Sequence, residues 1–97
     1  MIVLRMYRRG GEVLVAACDK ELIGRSLREG KRKLDVAESF YHGEEADEEM
    51  LINRLRMATI ANLVGEKTVS IASKHKMIDE QCVILIEGVP HVQMVKM

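Results

Sequence analysis

The chain has 97 residues, enough for one hydrophobic core and too few for two. Hydrophobic residues make up 47% and charged residues 31%, a balance too apolar for a disordered segment. Fifteen basic and fifteen acidic side chains cancel, which argues against a surface given over wholly to polyanions or anionic membranes.

Residues Ile2 to Arg8 alternate, with Ile2, Leu4 and Met6 on one side and Val3, Arg5 and Tyr7 on the other, as in a half-exposed strand. Gly10-Gly11 supplies a tight turn. Val13 to Cys18 is apolar on both faces and reads as a central strand, so the two segments form a hairpin. Asp19 suits the cap of a first helix that ends at Gly30, with Leu22, Ile23 and Leu27 as its stripe and Gly24 weakening it. Leu34 and Val36 suggest a third strand running irregularly through Phe40 to a turn at His42-Gly43.

Asp47 can cap a second helix with Glu48 and Glu49 in its first turn, and Leu51, Ile52, Leu55 and Ala58 recur at the helical period. Thr59 to Val64 reads as a short strand or the exit of that helix, broken by Gly65. Glu66 to His75 is a third helix. Two last strands, Cys82 to Ile86 and His91 to Val95, join around Gly88, with Pro90 at the start of the second.

This order of elements predicts one α+β domain over residues 1–97. It is expected to have two layers: a mixed β-sheet with terminal hairpins, and about three helices mostly on one face. With aromatics at only 3%, the core falls to Val, Ile, Leu, Ala and seven Met. The start of the chain lacks the order of a signal peptide, and no run nears the ~18 apolar residues of a membrane span, so a cytoplasmic protein without membrane contact is expected. Cys18 and Cys82, widely spaced, fit a reduced pair.

No close-spaced ligand pair points to a metal, and no cofactor motif appears. Gly65-Glu66-Lys67-Thr68 superficially matches a phosphate-binding loop, but it lacks the upstream glycine and puts Glu66 where a phosphate would sit. An ordinary helix start is the better reading, with an anion site second. Cys18 precedes a possible helix N-terminus, yet it ends an apolar strand and reads as a buried small hydrophobe. His91 could serve as a base or ligand, but no Ser or Asp neighbour makes a triad, so no catalytic residue is assigned.

The neutral total conceals segregation. Residues 1–34 carry nine basic and four acidic side chains, residues 35–49 carry seven acidic and none basic, and the remainder is net positive. Arg25, Arg28, Lys31, Arg32 and Lys33 form the densest basic stretch; Glu44, Glu45, Asp47, Glu48 and Glu49 form the acidic one. Two solvated faces that neutralise each other are the simplest reading. Complementary patches joining a homodimer or a protein partner are the second, and phosphate contacts to RNA through Arg5, Arg8, Arg9 and Arg25 to Lys33 are the third. Base stacking needs aromatics among the cations, and only Tyr7 stands there, with Phe40 and Tyr41 beside the acidic run. RNA is therefore not favoured.

Three phrases occur in order: Glu12-Val-Leu-Val-Ala-Ala-Cys-Asp19, Ala61-Asn-Leu-Val-Gly65 and Gly88-Val-Pro-His91, with the basic segment between the first two. Together they make the chain resemble, over essentially its whole length, the archaeal uncharacterised conserved proteins of domain of unknown function 424. That resemblance implies a compact α+β fold and an archaeal cytoplasmic setting, and no activity. It directs attention to the polar members of the phrases, Asn62, Gly65 and His91, as candidate binding residues.

The leading expectation is a non-enzymatic binding or protein-interaction module. An RNA-associated accessory protein is the alternative, and a small enzyme or ligand binder around Asn62, Cys18 and His91 is a third, which requires those three side chains to share one cleft.

Overall fold

In the computed structural model, which describes residues 1–96, the chain builds a six-stranded mixed sheet. Strands β1 (Ile2–Arg9) and β2 (Glu12–Asp19) form the expected first hairpin, turned at Gly10, whose φ of +59° an L side chain rarely adopts. A 3-10 turn at Lys20–Leu22 leads to a separate hairpin, β3 (Ser26–Glu29) and β4 (Arg32–Asp35). One helical turn, α1 (Glu38–Tyr41), and a short strand, β5 (Glu44–Ala46), precede α2 (Glu48–Met57). The chain then runs through β6 (Ile60–Val64), α3 (Glu66–Lys74), a 3-10 turn at Glu80–Cys82, and the last hairpin, β7 (Ile84–Ile86) with β8 (Val89–Val95).

The strand order is β5-β1-β2-β6-β8-β7, with β2 and β6 parallel and every other neighbouring pair antiparallel. Alternation along the strands divides the core in two. On one face Ile2, Leu4, Val15, Ala17, Ala61, Leu63 and Val92 pack against Leu51, Ile52 and Leu55 of α2 and Val69, Ile71 and Ala72 of α3. On the other, Val3, Ala16, Cys18, Val64 and Ile86 are covered by Leu22, Leu27, Val36 and Tyr41, which belong to the β3–β4 hairpin and its flanks. Alanines at positions 16, 17, 61 and 72 are fully buried, so both covering layers approach the central strands closely and no large aromatic is needed. Met6, Met50, Met77 and Met94 fill the margins of the helical side.

The sheet, both terminal hairpins, α2 and α3 form as expected, and α2 is capped by Asp47, whose carboxylate accepts the Met50 N–H at 2.8 Å. The helix expected from Asp19 to Gly30 does not form. Gly24, at φ +84°, breaks the turn after Leu22, and Gly30, at φ +61°, turns the β3–β4 hairpin instead of capping a helix. Leu22 and Leu27 are both buried, one from the 3-10 turn and one from β3, so their spacing mimicked a helical stripe. The third strand is β4, and Phe40, expected within its extension, belongs to α1.

Candidate functional site

The candidate residues of the sheet lie on the face that carries the β3–β4 hairpin. Cys18 of β2 is opposite Val64 of β6, and Val64 is opposite His91 of β8. Asn62 is opposite Ala16 and Gln93, which makes His91 its diagonal neighbour, a spacing of roughly 7–8 Å. The three residues thus share a face without converging. Val64 stands between Cys18 and His91, Cys18 is sealed under the hairpin, and no side-chain hydrogen bond joins any two of them among the described residues.

Burial, with Asp19 and Glu21 nearby, pushes the Cys18 thiol up to about 12, so it is a thiol and not a nucleophilic thiolate at neutral pH. Tyr41, buried beside it, is raised to about 12 by burial first and Cys18 second. Burial lowers the His91 pKa by disfavouring its charged form. A broad surface depression does exist, lined by Asp47, Glu48, Asn53, Arg54, Arg56 and His75, but it lies along α2 and contains none of the three. Among the described residues no three His, Cys, Asp or Glu side chains are grouped to hold a metal ion.

Gly65 has a structural task. At φ +110° it starts α3, and its N–H donates to the Pro90 carbonyl at 2.9 Å. A Cβ there would lie 2.4 Å from Cγ of Asp19. The Asp19 carboxylate fills that space, accepting from Lys67 N–H at 3.1 Å, Thr68 N–H at 2.8 Å and the Thr68 hydroxyl at 2.7 Å. The α3 N-terminus therefore holds an anion supplied by the protein itself. Asp19 was legible as a helix cap, but its helix starts 47 residues later, across the parallel β2–β6 pair.

The basic candidates divide into two groups at opposite ends of the strands. Arg8 and Arg9 belong to the β1 end near the Gly10 turn, and Arg5 to the middle of that strand. Arg25, Arg28, Lys31, Arg32 and Lys33 belong to the β3–β4 hairpin, which crosses the sheet from the end of β2 toward β7. Its far end is held by Arg28 N–H donating to Glu87 Oε2 at 2.7 Å and Glu87 N–H donating to Glu29 Oε1 at 2.8 Å. Lys33 lies 3.9 Å from Asp35, whereas Arg25, Arg28, Lys31 and Arg32 are exposed and make no ion pair among the described residues.

Two members of the acidic segment are paired with cations outside the hairpin. Glu45 pairs with Lys20, and Glu48 with Lys74 at 2.6 Å and His75 at 2.8 Å. The hydrogen bond from Lys20 holds the Glu45 carboxyl below its ordinary pKa, and those from Lys74 and then His75 do the same for Glu48. β5 is one edge of the sheet, whereas the basic hairpin lies over the opposite face from the helices and reaches β7 at the other edge, so the two segments occupy different parts of the surface.

Sequence distance also misplaced the aromatics. Phe40, beside the acidic run in the chain, stacks on Tyr7 with ring centroids 5.5 Å apart and planes 19° apart, and Arg5 lies 5.3 Å from the Tyr7 centroid. The Tyr7 hydroxyl donates to the Phe40 carbonyl at 2.7 Å and Arg5 to the Ser39 carbonyl at 2.9 Å, so the cluster fastens α1 to β1. Nothing local in the sequence joins positions 7 and 40.

These features define a small α+β protein with a mixed sheet, a covered helical face and a cationic hairpin on the other face. The family model described as "Protein of unknown function (DUF424)" matches residues 7–97, and the chain belongs to that family. An uncharacterized conserved protein from Methanopyrus kandleri has a crystal structure similar to this one. The TM-score is 0.81 at 25% sequence identity, over 99% of this chain and 93% of that one. No curated protein matches. Among the described residues, no helix is long and apolar enough to cross a membrane.

Proposed function

We propose that the protein is a non-enzymatic binding module of the cytoplasm whose recognition element is the β3–β4 hairpin, presented to an anionic partner surface. The observation that carries this is the set of four exposed cations Arg25, Arg28, Lys31 and Arg32 on one short hairpin and its base, without an ion pair among the described residues, while Glu45 and Glu48 of the acidic segment pair with cations elsewhere. Cations not engaged in ion pairs retain their attraction for an external anion. Glu29 and Asp35 on the same hairpin give it mixed sign, which suits a patterned protein surface better than a uniform polyphosphate. The dispersal of Cys18, Asn62 and His91 supports a binder over an enzyme. Two free cysteines, one buried and one exposed, fit a reducing compartment.

RNA is the second reading, and the Arg5–Tyr7–Phe40 cluster favours it, because it puts two aromatic rings among the β1 arginines. Both readings are tested by fluorescence anisotropy of the full chain with labelled polyglutamate and with a labelled RNA, each across a salt series. The expected result is binding of polyglutamate that weakens as salt rises, reduced at least about tenfold by Arg28→Glu with Arg32→Glu and unchanged by Arg8→Glu with Arg9→Glu. RNA binding lost with the β1 pair instead transfers the function to the second reading. No affinity for either probe at low salt, or affinity indifferent to both pairs, refutes the hairpin as a recognition element.

A further inference from the structure

Strand β8 is longer than the neighbour that covers its outer edge. β7 begins at Ile84, opposite His91, and leaves the second half of β8 paired only with β6. The Pro90 carbonyl accepts from Gly65 N–H at 2.9 Å and the Lys96 N–H donates to the Thr59 carbonyl at 2.8 Å, so even-numbered residues of β8 turn their backbone groups toward β6. Backbone direction alternates along a strand. Gln93 and Val95 therefore turn N–H and C=O outward, and none of these groups is closed by a hydrogen bond among the described residues.

The same edge lacks the usual protection. Ile84–Ile86 and Val89–Val95 contain no Lys, Arg, Asp or Glu in a chain that is 31% charged, and Val95 is 59% exposed. Charged side chains and covering segments are the devices that normally keep sheet edges apart.

We infer that this notch is an interface between two copies of the chain, in which the β8 strands pair antiparallel across a two-fold axis at Met94. Unpaired donors and acceptors two residues apart match only the main chain of another extended strand. A second copy meets the requirement with itself: Gln93 exchanges both hydrogen bonds with the partner subunit's Val95, and Val95 with the partner subunit's Gln93. Met94 faces its equivalent across the axis. The strand itself brings no like charges together. The two-fold stands perpendicular to the sheet, so both β3–β4 hairpins emerge on one side of a continuous sheet. This dimer does not depend on the hairpin's role.

Sedimentation of the purified full chain over a concentration series tests it. Gln93→Pro removes an N–H that bonds nothing within the chain, so the monomer keeps its circular dichroism and the dimer dissociation constant rises at least about tenfold. Val95→Lys places two cations beside the axis and acts in the same direction without altering the backbone. In the dimer, the Gln93 and Val95 amides exchange with deuterium slowly; both exchange fast in Val95→Lys, and in Gln93→Pro the remaining Val95 amide does. A monomer at every concentration overturns the inference, as does a dimer that survives both substitutions or one that dissociates on addition of salt alone.

Discussion

Removing the Asp19 carboxylate is expected to destabilise the protein more than removing any exposed ion pair. Asp19→Ala deletes the acceptor of three donors, two of them on Thr68, which is fully buried. A buried donor left without a partner costs about 1–3 kcal/mol, while the Lys67 N–H, next to exposed residues, can turn to water. Two such donors, partly relieved by local rearrangement, put the loss near 3 kcal/mol out of a total of about 5–15 kcal/mol for a domain of this kind. That corresponds to a melting midpoint lower by about 12–24 °C. Asp19→Asn keeps one acceptor and turns an amide donor toward the others, so its loss is intermediate. Urea titration followed by circular dichroism reads both. Gly65→Ala supplies the internal control: its Cβ meets the carboxylate at 2.4 Å, so it should cost about 1–3 kcal/mol alone and clearly less in the Asp19→Ala background. A loss below about 1 kcal/mol for Asp19→Ala, or strict additivity of the pair, would refute the reasoning.

Two further outcomes concern titratable groups. At mildly alkaline pH a thiol reagent should modify Cys82 at once and Cys18 only after unfolding, since one is exposed and the other is buried with its pKa raised to about 12; rapid modification of both would contradict the sealed hairpin face. The depressed pKa of His91 gives a signed pH effect, because the unfolded chain takes up that proton first. Its contribution is present above the ordinary histidine value of 6.5 and is lost as pH falls through the lower folded pKa. Stability measured between pH 7 and 5 should fall less steeply in His91→Gln than in the parent, and parallel slopes would dismiss the assignment.

Segments whose structure depends on neighbours in the chain were legible in the sequence. α2 follows from Asp47, two glutamates in the first turn and the spacing of Leu51, Ile52 and Leu55, and the structure uses each in that way. The terminal hairpins follow from apolar strands around glycines. Illegible were the features that depend on strands meeting far along the chain. Asp19 precedes a plausible helix start, and only the parallel pairing of β2 with β6 shows that it caps α3. The apolar spacing from Leu22 to Leu27 satisfies a helix or a turn followed by a strand equally well, and the choice belongs to the sheet beneath. The candidate site fared likewise. Asn62, Gly65 and His91 do fall at adjacent positions, with Gly65 serving the Asp19 cap and His91 diagonal to Asn62. The cations were identified as a group, while their division between two ends of the molecule required the fold.

The placement of the acidic segment around the β5 edge and of the cationic hairpin over the sheet face that reaches β7 gives a molecule of zero formal charge an uneven charge distribution. A charged surface at a distance exerts almost no net pull on such a molecule, yet it exerts a torque. In the proposed binding role, that torque turns the hairpin toward a polyanion and the β5 edge toward a polycation. Orientation is thus set before contact, within about 8 Å of screening length at physiological salt, and it would be erased by reversing charges at either edge even if the total stayed at zero.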